Sequence, residues 1–305
     1  ALVPAARLKL LTALVAALVR DASGYAGSLQ HVICDVKRSL TCKQGCIEQG
    51  NYKAIVSGMR NNLGCNGIRV GIDADVLDPK NYSATYRDVV SFARSLKMSI
   101  YANPLGVGHF GMTNTETASW IVAYANEWRP NFLGPFNEAN FDVDDMLDII
   151  AKVRTGLSYS PVLVGPDMQR LETSISTLEH HGHMATAVDI VSSHNANNDT
   201  LATADNWRRL AELAREGVWS SENPRPWDFT WDGKQIGLTA VVDSMTGLVI
   251  YLAFPESVDE AGALTEKGQA IAAGISDAAS AGVPSHSLAS TSTAPSEDVR
   301  DVVLV

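Results

Sequence analysis

Gly67-Ile68-Arg69-Val70-Gly71-Ile72 is followed by Tyr86-Arg87-Asp88-Val89-Val90-Ser91-Phe92-Ala93-Arg94-Ser95-Leu96 and then by Met98-Ser99-Ile100-Tyr101-Ala102-Asn103. The first and third stretches are short, nearly unbroken apolar runs, as strands buried on both faces should be. The middle stretch places Tyr86, Val89, Val90, Ala93 and Leu96 on one helical face. A strand, a helix and a strand joined by short links predict parallel strands with a right-handed crossover.

The same alternation continues in both directions. Strands are predicted over His31–Val36, Gly67–Ile72, Met98–Asn103, Phe132–Asn137, Val162–Pro166, Val188–His194, Val218–Glu222 and Leu248–Phe254. Helical stripes lie between them. Tyr52, Ile55, Val56 and Met59 form one, with Gly64 as a stop, and Met146, Ile149, Ile150, Val153 and Leu157 form another. Thr113-x-x-Glu116 reads as a capping box before Ala118, Ile121, Val122 and Ala125. Trp207, Leu210, Ala211 and Ala214 make a further stripe, Leu238, Val241, Val242 and Met245 the next, and Gln269–Asp277 the last helix. Eight such units predict an α/β chain closed into a single (β/α)8 barrel over residues 29–279, a usual size for that fold. The competing open doubly wound sheet would carry a glycine-rich dinucleotide fingerprint after its first strand. None is present, and no cofactor is expected.

The flanks differ in character. Arg7 and Lys9 precede the apolar run Leu10–Val19, and small residues follow, so residues 1–28 are expected to be a secretory signal peptide; an amphipathic helix is the alternative. That run is about half the ~20 residues a bilayer span requires. Residues 280–305, rich in Ser, Ala, Thr and Pro, read as a tail. Lys and Arg total 24 against 34 Asp and Glu, and the net charge of −10 disfavours nucleic acid and anionic membrane as partners. Cys34, Cys42, Cys46 and Cys65 allow three disulfide pairings in a secreted chain. With Cys34 in strand one and Cys65 just before strand two, the barrel predicts Cys34–Cys65 and Cys42–Cys46.

Barrel enzymes carry their chemistry at the C-terminal ends of the strands. Those ends are polar here: Arg69 in strand two, Tyr101 and Asn103 in strand three, Asn137-Glu138 after strand four, His194 in strand six and Glu222 in strand seven. Glu138 and Glu222 are 84 residues apart, three β/α units, which sets them facing across the barrel mouth. Paired carboxyl groups facing across a cleft suit cleavage of a glycosidic bond, one group donating a proton and the other attacking the anomeric carbon.

Asn137-Glu138 on strand four and Glu222 on strand seven resemble the pattern of the retaining glycoside hydrolases of clan A, over about residues 30–275. The resemblance implies Glu138 as acid/base, Glu222 as nucleophile, Arg69 as the arginine holding the nucleophile, Asn137 on the sugar 2-hydroxyl and His194 lining the centre. It implies a β-linked polysaccharide substrate cut with retention, and the chain's size is closest to the small secreted β-glucanases. Two residues depart from the pattern: Ala139 stands where Pro usually follows Asn-Glu, and Leu248–Phe254 has no Trp, leaving Tyr251 or Phe254 to replace it. On this reading ionised Glu222 raises the pKa of Glu138, and Arg69 lowers that of Glu222. Trp227 and Trp231, in a loop with Pro224 and Pro226, suit stacking on a pyranose, and His109 in the glycine-rich 105–111 loop is placed to touch sugar. His180, His181 and His183, and Asp73, Asp75 and Asp78, read as solvated loop residues, and no metal is expected. The other classes are a non-catalytic carbohydrate-binding barrel and a polysaccharide lyase, whose base would be Tyr101, His109 or His194.

Overall fold

The computed structural model describes residues 29–42, 45–105, 111–138, 141–194, 204–214, 217–223 and 245–281. Its strands are β1 (His31–Asp35), β2 (Gly67–Ile72), β3 (Ser99–Pro104), β4 (Phe132–Leu133), β5 (Val162–Met168), β6 (Ile190–His194), β7 (Val218–Asn223) and β8 (Met245–Ile250). Each pairs with the next, and β8 returns to β1, closing the expected barrel. The pairing of β1 with β8 is parallel, Val32 opposite Leu248 and Cys34 opposite Ile250.

The helices are α1 (Tyr52–Asn61), α2 (Ala84–Ser95), α3 (Asn114–Trp128), α4 (Val143–Gly156), α5 (Leu171–His180), the single turn α6 (Met184–Ala187), α7 (Ala204–Leu213) and α8 (Glu266–Ala281). Their N-termini follow the sequence. Ser83 accepts from the Tyr86 amide, Asp142 from Asp144 and Asp145, and Thr113 with Glu116 forms the full capping box. These side chains satisfy amide donors that the first turn leaves without a helical partner.

Period-two alternation divides the core into two layers. Ile33, Tyr101, Phe132, Val164, Trp219 and Val249 fill the barrel interior. The strand residues on the other face, such as Cys34, Ile68, Ile100 and Leu133, pack outward against the helices. Trp219 sets a condition on its neighbour: a Cβ on Gly247 would lie 2.3 Å from the indole Nε1, so only glycine lets β8 pass there.

Several bounds differ from the sequence expectation. β4 pairs through two residues only, the Gly134 amide still donates to the Ala102 carbonyl of β3, and the chain from Pro135 to Glu138 then leaves the wall to line the mouth. β5 continues past Pro166 through a register shift between Pro166 and Met168. β8 begins at Met245, which the stripe had assigned to a helix, and ends at Ile250; Leu238, Val241 and Val242 lie outside the described residues. Leu252 (φ +48) then turns the chain into a π-helical turn at Ala253–Ser257. α5 was not expected, although Leu171, Ile175 and Leu178 give it a buried stripe.

Both expected disulfides are present, Cys34–Cys65 and Cys42–Cys46. Among the described residues no helix is long and apolar enough to cross a membrane.

Candidate active site

Parallel closure brings every strand's C-terminal end to one rim, where Glu138 and Glu222 meet. His194 stands between them, its Nδ1 at 3.0 Å from Glu138 Oε1 and 3.7 Å from Glu222 Oε2. One ligand atom from each of the three lies within 4.8 Å of the others. Both glutamates keep a little solvent exposure, 16% and 12% of the side chain, while His194 is buried. Glu138 is held at φ +53, a conformation that costs a non-glycine residue about 1–3 kcal/mol and persists only where its surroundings impose it. Its amide donates to the Asp167 carbonyl at 2.9 Å, and Asp167 is itself at φ +59.

The floor beneath Glu222 is cationic. Arg69, fully buried, donates through Nη2 to Glu222 Oε2 at 2.9 Å and to Asn137 Oδ1 at 2.8 Å. Its Nη1 donates to the Ser221 carbonyl at 2.7 Å, its Nε to Asn103 Oδ1 at 3.2 Å, and Asp35 Oδ2 lies 3.5 Å away. Lys37, just beyond β1, donates to Asn137 Oδ1 at 2.7 Å and lies 3.8 Å from Glu222 Oε2. Asn103 Nδ2 is a third donor to Asn137 Oδ1, at 3.1 Å. Three donors on one oxygen fix which way the Asn137 amide is turned.

Charge follows from these contacts. Burial alone would raise the Glu222 carboxyl, but His194, Arg69 and Lys37 outweigh it and bring the pKa down to about 2. The expectation of a depressed Glu222 therefore holds, with three cations contributing rather than Arg69 alone. Glu138 departs from expectation. The His194 hydrogen bond dominates, ahead of burial and of Glu222, and its carboxyl is held below the ordinary value rather than raised. Burial opposes charge on His194, yet Glu222, Asp167 and Glu138 outweigh burial and lift the imidazole to about 9. Burial and Arg69 bring Lys37 down to about 8, against the pull of Glu222 and Asp35.

The residues expected to bind substrate separate into groups. Arg69, Asn137 and His194 meet the two glutamates. Tyr101 and Asn103 do not face substrate: both are fully buried, and their hydroxyl and amide donate to Asp167 Oδ2 at 3.1 Å each. They are corrected from sugar contacts to supports of the site. His109, Trp227 and Trp231 lie outside the described residues. Phe254 is buried and offers no sugar platform, and Tyr251 is nearly so, although its phenol is close enough to Glu222 to be raised by it, after burial, to about 12. Sequence reasoning missed Asp35, Lys37, Asp167 and Ser192. Asp35-Val36-Lys37 directly follows an apolar run, as Glu138 does, and that placement was the available signal.

No protein-family model matches the chain, and no curated protein matches it. Solved structures do. A glycoside hydrolase family 30 subfamily 8 xylanase from Clostridium acetobutylicum superposes at TM-score 0.57 and 13% identity, over 80% of this chain and 68% of its own. A GH5-4 broad-specificity endoglucanase from Clostridium cellulovorans gives 0.58 and 12%, over 84% and 95%. A β-mannanase from Streptomyces thermolilacinus, solved with mannohexaose, gives 0.54 and 13%, over 81% and 88%. At such identities the likeness establishes the fold alone: this chain has the (β/α)8 barrel on which those glycoside hydrolases are built.

Proposed function

We propose that this chain is a retaining glycoside hydrolase acting on a β-linked polysaccharide, with Glu222 as nucleophile and Glu138 as acid/base. The observation that carries the reading is the carboxylate spacing: oxygens of Glu138 and Glu222 lie within 4.8 Å. Retaining enzymes hold their two carboxyl groups roughly 5–5.5 Å apart, whereas inverting enzymes need roughly 6.5–9.5 Å to admit a water. Arg69 and Lys37 keep Glu222 anionic and aimed at the anomeric carbon. Glu138, opposite, protonates the departing oxygen and then takes a proton from the water that releases the sugar. The amide of Asn137, its oxygen held by three donors, suits the 2-hydroxyl of the sugar between the glutamates.

A lyase is disfavoured at two of the three candidates for its base, His109 lying outside the described residues. The Tyr101 hydroxyl is buried and donates to Asp167, and His194 is held protonated. A binding module has no use for a carboxylate pair tuned by three buried cations. The finer reading, a secreted endo-β-glucanase, rests on the compact chain, its two disulfides and the endoglucanase among the similar structures.

Glu138→Gln and Glu222→Gln are each expected to lower turnover at least a thousandfold on whichever of a panel of glucans, xylans, mannans and galactans the protein cuts. Activity within tenfold of the unsubstituted protein for either variant rejects the assignment. Azide is expected to restore Glu222→Gly with an inverted glycosyl azide and Glu138→Ala with a retained one; the opposite stereochemistry exchanges the two roles.

A further inference from the structure

His194 presents a carboxylate to each ring nitrogen: Glu138 Oε1 at 3.0 Å and Glu222 Oε2 at 3.7 Å from Nδ1, and Asp167 Oδ2 at 3.6 Å from Nε2. A neutral imidazole has one N–H, so one nitrogen would set a lone pair against a carboxylate lone pair. An imidazole protonated at both nitrogens turns an N–H toward each carboxylate, hydrogen-bonded to Glu138 on the Nδ1 side and in ionic contact with Asp167 on the Nε2 side. Asp167 is fully buried and fixed by three donors from two strands: Tyr101 and Asn103 of β3 on Oδ2, and Ser192 of β6 on Oδ1 at 2.7 Å. The same residue accepts the Glu138 amide on its backbone carbonyl. Asp167 thus bears on both partners of the His194–Glu138 hydrogen bond: its carboxylate lies in ionic contact with the buried Nε2, which has no hydrogen-bond partner among the described residues, and its backbone carbonyl accepts the Glu138 amide.

We propose that Asp167 is a positioning residue that keeps the catalytic proton on His194 in the resting protein, from where Nδ1 hands it to Glu138 Oε1 when substrate arrives. The proposal rests on the hydrolase reading and adds to it where the proton waits. The steps balance. His194 Nδ1–H protonates Glu138, leaving a neutral imidazole whose Nε2–H faces Asp167. Glu138 gives that proton to the glycosidic oxygen as its bond to the anomeric carbon breaks and the bond to Glu222 forms. Water then attacks the anomeric carbon, its proton passes to Glu138, the Glu222 ester bond breaks, and the proton returns to Nδ1. The charged groups facing the imidazole are Glu138 beyond β4, Asp167 on β5 and Glu222 on β7, with Arg69 and Lys37 behind Glu222. The lowered Glu138 and raised His194 agree with a proton residing on the ring.

Lys37 titrates in a neighbouring range, so a pH–rate profile alone would mix the two groups. The imidazole is therefore followed directly, by NMR of the full chain labelled at histidine, with His194→Gln identifying the signal. His194 is expected to stay charged at pH 7.5 and to titrate near 9. In Asp167→Asn its midpoint should fall by at least about one pH unit toward the ordinary ~6.5. That variant's kcat at neutral pH should fall about tenfold, with KM within about twofold, because an acid without its proton binds but does not turn over. Ser192→Ala, which removes a donor from Asp167 and leaves its charge, should move the midpoint upward. A neutral His194 at pH 7.5 in the unsubstituted protein overturns the proposal, as does a midpoint unmoved in Asp167→Asn or, should that variant not fold, in Ser192→Ala. The titration needs no substrate, so failure of the proton store and failure of the hydrolase reading are seen separately.

Discussion

Lys37 is the residue whose place is hardest to anticipate. A lysine after a strand is ordinarily a solvated loop charge, yet here the stem is buried and the ammonium serves Asn137 and Glu222 together. Burying an ammonium is costly unless it is paired and hydrogen-bonded, and both conditions are met. Lys37→Met removes one of three cations acting on Glu222. Its carboxyl should then hold a proton to higher pH, so the acid limb of kcat/KM should shift upward while the neutral-pH rate, where Glu222 stays ionised, loses less than the acid-limb rate; an unmoved acid limb would mean that Arg69 and His194 suffice. The legible residues were those carrying a charge at the end of an apolar run, Glu138 and Glu222, or within one, Arg69, because burial of charge demands a reason. Asp167 was not legible, since Gly165-Pro166 reads as the end of a strand that in fact continues through a bulge. The state of Glu138 was misread because the sequence supplies the neighbouring carboxylate but not the distance to His194, and the 3.0 Å hydrogen bond reverses the sign.

Elements were legible wherever apolar period and capping chemistry agree. α3 shows this best. Thr113 accepts from the Glu116 amide while Glu116 accepts from the Thr113 amide, so a four-residue motif marks the helix start. Thr113→Ala should cost about 1 kcal/mol in chemical denaturation, since the cap satisfies amides of the first turn of α3 that have no helical partner. An unchanged denaturation midpoint would mean that water serves those amides as well as the cap does. Strand lengths were less legible than strand existence. Phe132–Phe136 has no polar side chain, yet only Phe132 and Leu133 pair: the Gly134 amide still donates to the Ala102 carbonyl, and Pro135, with no N–H to continue the ladder, lets the chain peel away. α5 escaped notice because a short stripe between a Gly-Pro and a histidine cluster gives a weak periodic signal, though its buried face is ordinary.

On the scale of the molecule, the Cys34–Cys65 bridge ties β1 to the approach of β2 across 31 residues. Closing a loop of that length in the unfolded chain accounts for about 3–4 kcal/mol on the chain-entropy estimate. A Cys34→Ala/Cys65→Ala variant should therefore unfold at clearly lower denaturant concentration, with a slope no smaller because the freed unfolded chain exposes more surface; an unchanged midpoint would mean that the α1 packing already fixes this corner. The polar cluster draws on every strand from β1 to β7: Asp35, Arg69, the neutral Asn103, Glu138 beyond β4, Asp167, His194 and Glu222. The last seam to be specified, β1 against β8, joins His31–Cys34 to Gly247–Ile250, nearly the full length of the described chain. Such distant pairings are the slow ones in folding, because loop closure must precede the contacts that reward it. The cluster therefore has no half-built form. Until the ring shuts, its cations and carboxylates are scattered loop charges in water, so regained turnover in a refolding experiment would be a clock for the closing of the barrel, and no clipped fragment would keep time.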